Sequence, residues 1–217
     1  MPTFVTGAYA RSQTGVSKLV KNTYTLLSAT LFITAGVAWE SMGLHLSGGA
    51  YLVAMIASFA MTFAVFRTRN SAMGLVSLVG FAGLQGVCLG PLISLYLRTP
   101  GGSATVATAA FLTGAVFLAL SAYVHVTKKD FSAWSGMLFA GLMVVVVSSL
   151  IGLFVSSSAY QLTVAALSAM VFSGYILFDT SRIVLGGETN YILATLQLYL
   201  DILNLFLSLL RLLSDRR

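Results

Sequence analysis

Two aspartates stand where aspartates are costly. Asp179 and Asp201 lie inside long apolar stretches, whereas Glu40, Asp130, Glu188 and Asp215, the other acidic residues, fall at stretch ends or in connections. A carboxylate facing lipid costs at least ~2.5–3.5 kcal/mol, so both acids must face protein or a water-filled path. Counted from Asn190, Asp201 is about 16 Å into the last stretch at ~1.5 Å per helical residue. Counted back from Gly186, Asp179 is about 10 Å from its own end. The two stretches are joined by a short connection and must run antiparallel. The acids therefore sit at similar depth, within about one helical turn.

Helical phase brings further polar groups to the same faces. Gln197, Asp201, Asn204, Ser208 and Arg211 recur at i, i+4, i+7, i+11 and i+14, a narrow stripe on a leucine-rich helix. Ser168, Tyr175, Asp179 and Arg182 share a face by the same arithmetic. Two carboxyls meeting in a dry space cannot both be charged cheaply. Such a pair titrates as a unit and is expected to share one proton near neutral pH. Losing that proton creates repulsion, which would part the helices. An arginine alongside would act as a latch: Arg182 is one candidate, and Arg67 and Arg69, ending the second stretch, are others. The bland alternative is that each acid pairs with an arginine or completes a polar network for packing alone.

Other chemistry is thin. His45 and His125 fall near stretch ends on opposite expected faces, a poor metal pair. Cys88 is a lone cysteine in an apolar stretch, so no disulfide within the chain and no cysteine metal site can form. No H-E-x-x-H, G-x-S-x-G or phosphate loop occurs. Asp179 and Asp201 also lack the Gly-x-Gly-Asp setting of an intramembrane aspartyl protease. The chain is expected not to be an enzyme and to carry no cofactor. Trp39, Tyr51, Tyr96, Trp134 and Tyr160 lie near stretch ends, as an interfacial aromatic belt requires.

The elements that must position these residues follow from composition. Of 217 residues, 58% are hydrophobic and 8% charged, against ~25% charged in soluble domains. Such a chain cannot cover a water-facing surface, so its solvent is largely lipid. Seven apolar stretches run Asn22–Trp39, Gly48–Phe66, Met73–Leu97, Ala104–Val126, Ser132–Val155, Tyr160–Leu185 and Tyr191–Leu213. Each must be helix, because lipid offers no partner to an unpaired backbone group. The expected fold is all-α, a seven-helix transmembrane bundle over residues 22–213. Residues 1–21 form a basic N-terminal tail, and residues 214–217 a short C-terminal one. Gly86 and Gly90, and likewise Gly136 with Ala140, are small-residue pairs suited to close helix packing. Gly90-Pro91 predicts a bend within the third helix.

The net charge is +6. The basic residues cluster at stretch ends without interleaved aromatics, which points to topology and anionic lipid headgroups rather than nucleic acid. Eight lysines and arginines fall on the N-terminal side of the membrane and four on the other, so the N-terminus is expected inside. The four include the basic C-terminal end with Arg216 and Arg217, which disagrees with seven full spans. It would suit one re-entrant stretch instead.

The last two stretches also carry a resemblance. Gly174-Tyr-Ile-Leu-Phe-Asp179-Thr-Ser-Arg182, then Gly186-Gly-Glu-Thr-Asn190-Tyr, then Leu198-Tyr-Leu-Asp201-Ile-Leu-Asn204-Leu-Phe resemble the Bax inhibitor family, also called TMBIM or YccA-like membrane proteins. Gly90-Pro91, Ser121-Ala-Tyr123 and Lys128-Lys-Asp130 look like its bacterial branch. The resemblance implies a seven-helix bundle with the last helix central, in a bacterial cytoplasmic (inner) membrane. It implies a pH-sensitive calcium leak gated by an aspartate pair, here Asp179 and Asp201, with a basic partner at Arg67 or Arg69. In such a leak Asp201 and Asp179 would hold Ca²⁺ only weakly and transiently, since few ligands suit permeation better than storage. The Gly-Gly-Glu-Thr-Asn-Tyr stretch is similar to the YccA branch, which implies as the alternative a modulator of the membrane protease FtsH. Members of that branch need not keep both acids, and this chain has both. A proton-coupled carrier of a small solute is a third, weaker option.

Overall fold

The computed structural model describes residues 3–44 and 47–214, with side chains from residue 15 onward. His45, Asp215, Arg216, Arg217 and the side chain of Arg11 lie outside the described residues. The described chain is helical throughout: α1 (Thr3–Ser41), α2 (Gly48–Thr68), α3 (Ala72–Leu97), α4 (Gly102–Thr127), α5 (Ser135–Ile151), α6 (Ser158–Val184) and α7 (Tyr191–Ser214). A 3₁₀ turn, Ser132–Trp134, leads into α5. The helices end where apolar runs meet turn formers. Asn70-Ser71 separates α2 from α3. Gly101, at φ 69°, precedes α4, and Gly186, at φ 79°, follows α6. Both conformations are left-handed, which glycine adopts without steric cost.

Six helices, α2 to α4, α6, α7 and α5 with its leading turn, are long and apolar enough to cross a membrane. The chain is thus a polytopic membrane bundle. α1 is not among the six. Its backbone is helical well before Asn22, and threonines dilute its apolar half. Three of those threonines turn inward. Thr23, Leu27, Thr30, Thr34, Ala38 and Ser41 form one buried face, spaced as a helix requires. The hydroxyls of Thr30 and Thr34 donate to carbonyls one turn back, at 3.0 Å each.

The chain forms two compact units. The first comprises Met1–Pro91 and Arg182–Gln197. Within it α1 and α3 pack with their backbones close. The Thr34 hydroxyl donates to Ala82 O at 2.9 Å and the Ser41 hydroxyl to Gly86 O at 3.0 Å. A Cβ on Gly86 would lie 2.7 Å from Val37 Cβ, and one on Gly90 would strike Ser41 Oγ. The Gly86/Gly90 pair is therefore a helix-packing notch, as its spacing predicts. Pro91 lies inside α3 and closes this unit.

The second unit comprises Leu92–Ser181 and Leu198–Arg217. Here α5 meets α6 through glycines: a Cβ on Gly141 would lie 2.9 Å from Val171 Cγ2, and one on Gly174 2.6 Å from Leu138 Cδ2. The expected Gly136/Ala140 pair is instead exposed, with nothing within 4 Å of a Cβ on Gly136. The spacing there was right for a notch, but the face was not.

Of the six spans α7 is the most enclosed: its most apolar window is 67% buried, against 11–44% for the other five. The exposed phenylalanines and leucines of α2 and of α5 suit contact with lipid.

Candidate functional site

Asp179 on α6 and Asp201 on α7 both belong to the second unit, and each is 5% exposed. Their carboxyls lie within electrostatic reach of each other. Carboxylates only accept, so two carboxyls can hydrogen-bond to each other only with a proton on one of them. Asp201 Oδ2 is buried and has no hydrogen-bond partner among the described residues. The Tyr175 phenol, one turn before Asp179, is within electrostatic reach of both acids. Among the described residues no third His, Cys, Asp or Glu joins the pair.

The surroundings on α6 are polar but dry. Thr180 and Ser181 are fully buried. Thr180 Oγ1 faces Ser121 Oγ of α4 at 3.5 Å. The Ser181 hydroxyl donates to Phe178 O at 2.8 Å and accepts from the Phe131 amide at 3.4 Å. This second contact docks the α4–α5 connection beside the pair. His125 sits one turn below Ser121, its Nδ1 2.8 Å from Ser121 O.

The remaining stripe on α7 is satisfied locally. Asn204 Nδ2 donates to Leu200 O and the Ser208 hydroxyl to Asn204 O, each at 2.7 Å. Arg211 is exposed and donates to Gln161 Oε1. Gln197 is half-buried and belongs to the first unit.

The basic candidates lie in the first unit as well. Arg182 forms an ion pair with Glu188, Nη2 to Oε2 at 3.5 Å. Glu188 Oε1 accepts from the amides of Thr189 and Asn190, at 2.8 and 2.9 Å. Arg67 and Arg69 are exposed and make no ion pair among the described residues. Arg69 contributes its carbonyl instead, accepting from Asn190 Nδ2 at 2.9 Å. Sequence reasoning gave Asn190 and Glu188 no role. Asn190 caps α7, its Oδ1 accepting from the amides of Ile192 and Leu193 at 3.0 and 3.1 Å. An asparagine immediately before an apolar run is the signal that could have found it.

A profile of the family described as inhibitor of apoptosis-promoting Bax1 (Bax1-I) matches residues 16–217. A membrane protein of Vibrio cholerae is 49% identical over 199 residues, covering 91% of this chain and 89% of its own. A modulator of FtsH protease, YccA of Escherichia coli K12, is 39% identical over 197 residues, 91% of this chain and 90% of its own. The same likeness holds for the inner membrane protein YccA of Escherichia coli O6:H1.

Proposed function

The chain belongs to the Bax inhibitor (Bax1-I) family of non-enzymatic membrane proteins, and we propose that within it this protein modulates a membrane-bound protease of the FtsH type. The observation that carries the reading is likeness over nearly the whole length to a protein named for that activity. A bundle whose described residues are almost all helical, six of its helices long and apolar enough to span a membrane, suits such a role, because it can meet a membrane-anchored protease within the bilayer. We place it in an inner membrane, by likeness to a relative so named, with its basic N-terminal end on the cytoplasmic side.

The test is co-purification of the full chain with the protease, together with turnover of a membrane substrate. Binding and slower turnover are expected. Removing the residues before Asn22 is expected to abolish the slowing, while Asp179→Asn and Asp201→Asn leave it intact. A protease that neither binds the chain nor slows in its presence ends this reading.

The two adjoining buried acids favour a second reading, a proton-controlled leak of Ca²⁺ or another cation. With one proton shared, Asp179 and Asp201 stay together and the path is shut. When it leaves, the repulsion of two charges in a dry site parts the helices, and Asp201 offers a passing cation its unpartnered oxygen. Arg182, Arg67 and Arg69 remain the candidate latches. Reconstituted in vesicles, Asp179→Asn and Asp201→Asn should each flatten the pH dependence of Ca²⁺ flux. Variants that leak like wild type from about pH 5 to 8, the span across which a shared proton is expected to leave, would falsify the gating.

A further inference from the structure

Four exposed cations gather at one end of the first unit without anions to balance them. Lys18 and Lys21 of α1 and Arg67 and Arg69 at the end of α2 are all exposed. Three contacts bring their segments together. Asn190, in the α6–α7 connection, donates to Arg69 O and to Asn70 Oδ1, both at 2.9 Å. At the other side of that connection, a Cβ on Gly186 would lie 3.4 Å from Val16 Cγ2 of α1. One turn into α7, the Thr195 hydroxyl donates to Thr23 O at 3.3 Å. Lys18 and Lys21 therefore stand between the level of the connection and the level of the first turn of α7.

The acids that could neutralise this end are occupied or remote. The first unit holds two acidic residues, Glu40 and Glu188. Glu40 is at the far end of α1. Glu188 is spent on Arg182 and two backbone amides. The arginines also have an apolar neighbour surface. Phe63 and Phe66, one helical turn apart on α2, are 60% and 44% exposed just below Arg67. Charge above and exposed rings below are the two halves of a phospholipid.

We propose that this end of the first unit, Lys18, Lys21, Arg67 and Arg69 over Phe63 and Phe66, binds the headgroup and upper acyl chains of an anionic phospholipid. The guanidiniums grip the phosphate as bidentate donors. The lysines add charge, and the rings cover the first acyl carbons. Each juxtamembrane cation strengthens the hold on anionic lipid by about fivefold. A zwitterionic lipid, whose amine cancels its phosphate, gains little here.

The test is native mass spectrometry of the full chain released from mixed micelles of phosphatidylglycerol and phosphatidylcholine. Selective retention of phosphatidylglycerol is expected, weakening as ionic strength rises. Arg67→Gln with Arg69→Gln should cut the preference by about tenfold or more, while Lys128→Gln with Lys129→Gln, in the other unit, leaves it unchanged. Equal retention of the two lipids overturns the proposal, and so does a preference untouched by the arginine pair. Competition by glycerol phosphate as strong as by the lipid makes this a phosphate site and also overturns it. Should the glutamine pair not fold, the wild-type preference and its salt dependence decide alone. Protection of the four cations by a purified protease in phosphatidylcholine discs, with no lipid preference, assigns the surface to a protein and sinks the lipid reading.

Discussion

Asp179 of α6 and Asp201 of α7 adjoin each other, both nearly buried, and one oxygen of Asp201 has no partner among the described residues. Two carboxyls that share a proton need one of them as donor, so an asparagine at 201 should replace the protonated partner closely in shape and function. Asp201→Asn is expected to change thermal stability in detergent by less than about 1 kcal/mol, the worth of an ordinary hydrogen bond. Asp201→Ala removes the partner and leaves a gap, costing about 1–3 kcal/mol. Equal losses for the two variants would show that the pair contributes through volume and not through the shared proton.

The α1–α3 seam predicts a sharp contrast among glycines. Gly86→Ala places a methyl 2.7 Å from Val37 Cβ and 2.8 Å from Thr34 O, and Gly90→Ala strikes the Ser41 hydroxyl. The backbone carbonyls cannot yield without parting the helices, and that loosens the Ser41–Gly86 bond as well. Each substitution should cost about 1–3 kcal/mol, the usual price of overpacking. Gly83→Ala, on the same helix with nothing within 4 Å, should be neutral or slightly stabilising, since alanine is the better helix former. Thermal unfolding of the three variants side by side settles the matter. A Gly83 variant as damaged as the other two would remove the seam as the cause.

Much of this was legible in the sequence, for a physical reason. Lipid forces each long apolar run into helix, so Tyr191–Leu213 and Met73–Leu97 were placed to within one residue of α7 and α3. The acid pair was legible because burial cost and helical phase act on the same residues. Partner choice was less so. Gly136 and Ala140 have the spacing of a notch, but spacing does not say which face meets a neighbour. The glycines used, Gly141 and Gly174, sit on different helices with no spacing to reveal them. Arg182 lies three residues from Asp179, which suggested a latch. The structure also pairs it with Glu188, brought back by a tight connection that periodicity does not describe. The polar face of α1 depressed its apolar signal, because Thr30 and Thr34 are buried with their hydroxyls bonded to carbonyls rather than replaced by apolar side chains.

Asn190 does two jobs, and two substitutions separate them. Its Oδ1 caps α7, while its Nδ2 ties the connection to Arg69 and Asn70. Asn190→Asp keeps the acceptor, adds charge favourable at a helix N-terminus and loses both donors. Asn190→Ala loses everything, including a cap worth about 0.5–2 kcal/mol. Amide exchange at Ile192 and Leu193 should stay slow in the aspartate variant and quicken in the alanine one. Exchange in the Asn70–Ser71 connection should quicken in both. Unchanged exchange at Ile192 in Asn190→Ala would mean the cap is not what holds the first turn.

The connection between α4 and α5 makes the clearest pH prediction. The Ser132 amide donates to Asp130 Oδ1 at 2.8 Å, and this bond, with the Ser132 side chain, holds the Asp130 carboxyl below its ordinary value. A carboxyl with a lower pKa in the folded than in the unfolded chain stabilises the fold above its unfolded value and ceases to do so as pH falls through the folded one. The unfolded value is about 3.9, so the contribution is intact at neutral pH and disappears in acid below it. Amide exchange at Ser132, corrected for its intrinsic pH dependence, should show wild type more protected than Asp130→Ala at neutral pH, and the difference should vanish in strong acid. Asp130→Asn, which keeps an acceptor that does not titrate, should retain protection throughout. The consequence reaches α6, because the neighbouring Phe131 amide donates to Ser181, two residues from Asp179. Ser181→Ala cuts that tether without touching Asp130. It should loosen Phe131 at every pH, and a loosening confined to acid would show that Asp130 alone holds the connection.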